Sequence, residues 1–227
     1  QGFSSLILLV AAYFVVWIDL FIPIGSSAPF PGPWFGASIA KNIIRIVLVL
    51  GLGRYFYFET IPSFGSLFPK DPATVRSRLF PDAMDMLNGL VIGGSAFGIV
   101  LVCSWFMSLL HYTNPVLQTM SHTVLTPAVF LGSVVLSLSV GYSEELFFRC
   151  FAEESFRDIG FPPYLAMVSG ALLFGLSHGA QQLGGMVVAT LLGFVFSLFK
   201  KHSRSLHAIA LGHALYDLFI LLLTFNV

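Results

Sequence analysis

The stretch that decides the fold covers residues 124–150 and reads VLTPAVFLGSVVLSLSVGYSEELFFRC. Most of it is apolar, and about 20 such residues are enough for a helix to cross a bilayer. Near its end stand two adjacent carboxylates, Glu144 and Glu145, followed four residues later by Arg149. Because a charge inside a membrane is costly unless it is paired or hydrated, these three residues are candidates for function.

The composition of the whole chain agrees with a membrane location. Of the 227 residues, 56% are apolar and only 10% are charged, whereas soluble domains have about 25% charged residues. The formal net charge is zero, so the chain has no basic surface for nucleic acid, and we expect no such partner. The sequence therefore predicts an all-α fold, a polytopic transmembrane helix bundle that lies in the lipid bilayer as a single domain over residues 1–227.

About seven spanning helices are predicted, over residues 4–23, 38–57, 87–111, 124–150, 163–180, 185–199 and 205–226. A polar segment, residues 59–85, is predicted to lie on the membrane surface. The fourth helix is expected to leave the membrane near Arg149, with Glu153 and Glu154 at a solvated helix end. The sixth span is predicted to be short, so that the polar linker 177–185 before it lies partly within the bilayer. Irregular backbone is tolerated there only inside protein or beside a water-filled cavity.

A turn signal relates the fourth and fifth spans to each other. Residues 160–163 read GFPP, and two prolines after a glycine cannot continue the preceding helix. The two spans should therefore form an antiparallel hairpin. Glu144 and His178 are equally far from this turn in sequence. His213 follows the basic loop 200–204 by about nine residues, which places it at a similar depth in the last span. The three residues are predicted to lie at one depth.

Each of these groups also has a plain structural explanation when it is taken alone. Glu145 and Arg149 are four residues apart on one helix face and could form a structural ion pair. His178 could be a packing histidine with satisfied hydrogen bonds. His213 and Asp217, again four apart, could be an interhelical hydrogen-bonding pair. Two carboxylates and two histidines at one depth on three helices are harder to explain this way, and together they predict a polar site.

The same residues form three short motifs in a fixed order. Glu-Glu-x-x-x-Arg occupies 144–149, Phe-x-x-x-His occupies 174–178, and His-x-x-x-Asp occupies 213–217. This pattern resembles the CPBP family of CAAX proteases and bacteriocin-processing enzymes, also called the ABI family, which includes the Ras-converting CAAX endopeptidase. The resemblance covers about residues 124–226, the core of the family.

The resemblance implies an intramembrane endopeptidase of the glutamate type, which cleaves peptides, CAAX-like C-termini or precursor proteins with water activated by Glu144. His178 would help to hold that water, and His213 with Asp217 would lie where the family forms its oxyanion site. The full set of implied site residues is catalytic Glu144, His178, His213 and Asp217, supported by Glu145, Arg149 and Phe174. Many relatives have asparagine at the last position. An ionised Asp217 would repel an oxyanion, so it is either protonated or orients His213.

Several alternatives stay open at this point. No cofactor is expected, but zinc held by Glu144, His178 and His213 is a competing version; we disfavour it because the chain has no His-Glu-x-x-His motif. A non-proteolytic membrane scaffold or chaperone on the same fold, or a transporter, are competing functions. The protein is expected to be a multi-pass membrane protein, with a bacterial cytoplasmic membrane favoured over a plastid or endoplasmic reticulum membrane, and to have a peptide or protein as its substrate.

Overall fold

A computed structural model describes residues 2–18, 32–57, 80–203 and 205–226, which are helical nearly throughout and contain no strand. The predicted surface segment 59–85 lies mostly outside these ranges. The helices, in chain order, are α1 (Gly2–Val16), α2 (Gly32–Tyr57), α3 (Ala83–Leu109), α4 (Pro115–Met120), α5 (Pro127–Glu145), a π-helical segment (Leu146–Ala152), α6 (Glu153–Asp158), α7 (Pro163–Ser177), a 3-10 turn (Gly179–Gln181), α8 (Gln182–Ser203) and α9 (Leu206–Thr224).

The helices have the lengths and surfaces of a membrane bundle. Within the described ranges, five are long and apolar enough to cross a membrane, and two shorter apolar helices, Leu6–Val16 and Pro163–Ser177, accompany them. Large apolar side chains such as Leu90, Val102 and Trp105 lie exposed on the outside, where an integral membrane protein meets lipid tails instead of water. The predicted all-α polytopic bundle is confirmed.

The lengths of two spans differ from the prediction. The predicted short sixth span is wrong, because α8 has 22 residues and begins at Gln182. The short helix is α7, which has 15 residues and ends at Ser177, and is therefore about 22 Å long. Only the turn Gly179–Gln181 breaks the helix, so the residues after it in the predicted linker are helical. The polar side chains of the linker led to the prediction of irregular backbone, but a helix that borders a cavity accommodates such side chains.

The fourth predicted span is one continuous stretch, Pro127–Asp158, of 32 residues. It begins at Thr126, whose hydroxyl accepts a hydrogen bond from the Val129 N–H at 3.2 Å, and Pro127 occupies the first turn, where its missing N–H is not needed. The π-helical segment Leu146–Ala152 follows Glu145 directly, and all seven of its residues are buried. Such segments are rare and occur frequently at functional sites.

The expectation of a solvated helix end is wrong for Glu153, which is only 5% exposed. The helix end is covered because α7 and α8 pack beside it. A Cβ at Gly170 of α7 would lie 2.8 Å from Glu153 Cγ, and the Ser197 hydroxyl of α8 donates to the Glu153 carboxylate. Neighbouring Glu154 is half-buried and pairs with Lys200 at 3.6 Å.

The predicted turn at 160–163 is confirmed. Gly160 has φ +106°, a backbone conformation that glycine adopts without strain, and Pro163 opens α7. The turn reverses the chain, and α7 packs against both the π-helical segment and α8.

Helix α9 packs most extensively against α3 and α5. A Cβ at Gly141 of α5 would lie 2.4 Å from the Ala210 carbonyl oxygen, and one at Gly93 of α3 would lie 2.9 Å from the Gly212 carbonyl oxygen. Small residues let helix backbones approach this closely, as is usual in membrane bundles. This close packing brings His213 of α9 beside the carboxylates at the end of α5.

Candidate active site

A cavity of about 590 Å³ lies between these helices. Its wall includes all four predicted catalytic residues, Glu144, His178, His213 and Asp217. They come from the end of α5, from the residue after α7 and from α9. The predicted supporting residues Glu145, Arg149 and Phe174 are buried behind the wall.

The two adjacent glutamates have different surroundings. Glu145 is fully buried, and its two oxygens are engaged by His213 Nδ1 at 2.8 Å and by Arg149 Nε at 3.1 Å. Glu144 is 7% exposed and lines the cavity. Its Oε2 lies 3.8 Å from His213 Nε2 and makes no hydrogen bond to the described part of the protein. Of the two glutamates, Glu144 is therefore the one that borders the cavity, while the Glu145 carboxylate is engaged by Arg149 and His213.

The imidazole of His213 lies among three carboxylates. Its Nδ1–H donates to Glu145, while its Nε2 lies 3.5 Å from Asp217 Oδ2. The ring stacks on Phe196 with centroids 4.9 Å apart. The hydrogen bond at Nδ1 fixes the ring through Glu145, and Asp217 lies on its opposite side at Nε2.

His178 is held by its own helix. Its Nδ1 lies 2.9 Å from the Phe174 carbonyl oxygen and 3.2 Å from Ser177 Oγ. A carbonyl oxygen only accepts, so Nδ1 carries the hydrogen and Nε2 is left as an acceptor. The Phe174 ring contacts both histidines, with centroids 4.7 Å from His178 and 5.8 Å from His213.

A buried charge network extends from the site along the π-helical segment. Arg149 pairs with Glu145, and its Nη1 lies 3.9 Å from Glu153 Oε1. Its guanidinium also lies over the Phe174 ring, 4.9 Å from the centroid. Lys200 of α8 donates to the Arg149 carbonyl oxygen and lies 3.9 Å from Glu153 Oε2. The ion pair of Glu145 and Arg149 was predicted from their spacing; the extension through Glu153 and Lys200 was not.

The sequence prediction also missed polar residues that come from the first half of the chain. Asn42 of α2 lines the cavity, and its Oδ1 accepts from Ser143 Oγ at 3.4 Å and from Arg45 Nη1 at 3.1 Å. Tyr112 and Asn114, between α3 and α4, line it too. The available signal was the group of polar residues Lys41, Asn42 and Arg45 within an otherwise apolar span, because these residues lie outside the motifs.

No three side chains of His, Cys, Asp or Glu within the described ranges stand in an arrangement that could hold a metal ion. Glu144, His178 and His213, the predicted alternative zinc ligands, share the cavity wall but do not form such a group.

A comparison with protein-family models finds one match. Residues 125–219 match the model described as Type II CAAX prenyl endopeptidase Rce1-like. The match covers less than half of the chain, and it supports assigning this part of the protein to the CPBP family of CAAX proteases. The matched segment includes all three motifs, from Glu144 to Asp217, and together with the long apolar helices it supports a peptide hydrolase of the membrane. Neither a curated protein nor a solved structure matches the chain.

Proposed function

We propose that this protein is a CAAX-type protease that cleaves peptide or protein substrates with a water molecule that Glu144 activates, without a metal ion. The observation that carries the proposal is the different environment of the two glutamates. Glu145 is engaged by Arg149 and His213, whereas Glu144 lines the cavity beside His213. A general base needs such access to the proton that it removes.

The proposed reaction uses the wall residues as follows. Glu144 takes a proton from water while the water oxygen attacks the scissile carbonyl carbon. His178, with Nε2 as its acceptor, helps to hold the water. The proton on Glu144 then passes to the leaving nitrogen as the C–N bond breaks, which yields an amine and a carboxylic acid that ionises afterwards.

His213 is the proposed donor to the oxyanion that forms during the attack. Its Nδ1–H is already given to Glu145, so a proton on Nε2 makes it a donor toward the cavity. Asp217 lies 3.5 Å from this Nε2. We propose that Asp217 keeps His213 protonated and is itself not an oxyanion donor, because an ionised carboxylate would repel the developing charge.

The substrate class is tested by comparing protein termini in membranes that carry the wild type or Glu144→Gln. New C-termini that depend on Glu144 are expected, and substrates with CAAX-like C-termini are the first to examine because the matched family model describes a prenyl endopeptidase. Identical sets of termini in the two membranes would contradict the protease and support a scaffold. The bacterial cytoplasmic membrane is the proposed location for this comparison.

Activity is expected to survive strong chelators, since Glu145 and Arg149 already fix the site without a metal ligand. Cleavage of a labelled peptide by the purified enzyme should change less than about twofold after EDTA or phenanthroline treatment. Loss of cleavage that added zinc restores would instead support zinc at Glu144, His178 and His213, because a removable catalytic zinc behaves in this way.

A further inference from the structure

The backbone that follows His178 is irregular and lies against the cavity. After α7 the chain makes the 3-10 turn Gly179–Gln181 and enters α8 through Gln182, which has φ +58°. A residue other than glycine adopts this conformation only when its surroundings enforce it. The conformation of residues 178–185 must therefore be fixed by contacts from other segments of the chain.

Tyr112 supplies the first of these contacts. Its hydroxyl donates to the Gln181 carbonyl oxygen and accepts from the Gly185 N–H at 3.0 Å. Its ring lies against Gly184, where a Cβ would come within 2.7 Å of the Tyr112 Cζ. One side chain therefore ties together the two ends of the junction between the 3-10 turn and α8.

Asn114 supplies the second contact. Its Nδ2 donates to Gln181 Oε1 at 3.1 Å, while its Oδ1 accepts from the Val116 N–H at 3.0 Å and caps α4. Tyr112 is fixed from the other side, since its N–H donates to the Met107 carbonyl oxygen at 3.0 Å. The backbone of Tyr112 and of Asn114 is thus held by hydrogen bonds to neighbouring helices.

Gln181 connects Tyr112 and Asn114 to the backbone of His178. Its N–H donates to the His178 carbonyl oxygen at 2.8 Å, its carbonyl oxygen accepts from Tyr112, and its side chain accepts from Asn114. Tyr112, Asn114, Gln181 and His178 all line the same cavity. A shift of Gln181 would therefore move the backbone of His178 relative to Glu144.

We propose that Tyr112 is a positioning residue for the hydrolysis proposed above: through Gln181 it holds His178 at its place in the cavity wall. The inference rests on the proposed role of His178. A displacement of about 1 Å of a group that positions a reactant can lower the rate a hundredfold. Tyr112 should accordingly affect kcat much more than KM.

The test uses the full-length enzyme in detergent and a peptide that the wild type cleaves. Tyr112→Phe removes only the hydroxyl and should lower kcat about 10- to 100-fold while KM changes less than about threefold. Tyr164→Phe is the matched control, because Tyr164 is exposed and its ring packs on Phe194 outside the cavity; it should leave kcat unchanged. Gln181→Leu removes the acceptor for Asn114 at similar size and should also lower kcat. If Tyr112→Phe does not fold, Gly184→Ala decides the question, because its Cβ would lie 2.7 Å from Tyr112 Cζ and displace the Tyr112 ring from the other side.

A double-mutant comparison separates positioning from general support. If Tyr112 acts through His178, Tyr112→Phe should cause no further loss in a His178→Ala background. An equal fold loss in both backgrounds, or an unchanged kcat in Tyr112→Phe and Gln181→Leu, would overturn the inference. A His178→Ala enzyme with wild-type kcat would instead contradict the proposed function, so the two failures are distinguishable.

Discussion

Glu144→Gln is expected to lower kcat by about 10²- to 10⁴-fold, the usual contribution of a general base. The amide keeps the shape of the carboxylate but cannot accept the proton from water. Since Glu144 Oε2 has no hydrogen bond to the described protein atoms and lies 3.8 Å from His213 Nε2, the substitution breaks no strong contact. Folding yield and substrate binding should therefore stay close to those of the wild type.

The matched control is Glu154→Gln. Glu154 is a half-buried glutamate on the same continuous helix, paired with Arg157 at 3.4 Å and Lys200 at 3.6 Å, and outside the cavity wall. Its substitution should change kcat less than about twofold, as expected for a pair near the surface. Cleavage by Glu144→Gln within about threefold of the wild type would exclude Glu144 as the base. Glu145 would not replace it without breaking its contacts to Arg149 and His213.

The elements set by local patterns were predictable from the sequence. The lengths of the apolar stretches predicted the long spans, and the glycine and prolines at 160–163 predicted the hairpin. The spacing of four residues predicted the ion pair of Glu145 and Arg149. These features depend on residues close in the chain, whose geometry the helix fixes. The positions of the four candidate catalytic residues around one cavity followed from them.

The missed features depend on contacts between distant segments. No spacing rule links Glu153 to Ser197 or Tyr112 to Gln181, which meet only because helices pack side by side. The π-helical segment was missed as well, since its residues read as ordinary apolar helix. The different proposed roles of Glu144 and Glu145 could also not be assigned without the structure. Two adjacent glutamates are equivalent in the sequence until the partners of each are known.

Arg149→Ala is expected to destabilise the protein by about 3–5 kcal/mol, the cost of leaving a buried charge without its partner. Arg149 is fully buried and faces Glu145 at 3.1 Å and Glu153 at 3.9 Å. Without it, two carboxylates remain in the interior, although Glu153 keeps Ser197 and Lys200 as partners. Arg157→Ala is the control, because the Arg157 side chain is 51% exposed and its loss should cost about 1 kcal/mol or less.

Adding Glu145→Ala to Arg149→Ala should restore part of the lost stability, because it removes the carboxylate that Arg149 neutralises. The double variant should nevertheless stay poorly active, since Glu145 also fixes the His213 ring through Nδ1. Thermal unfolding in detergent of the wild type, the single variants Arg149→Ala and Glu145→Ala, and the double variant measures the coupling between the two residues. If the double variant is destabilised by the sum of the single changes, the two residues are independent. Arg149 would then act mainly through Glu153 and the Phe174 ring, and the support of His213 would rest on Glu145 alone.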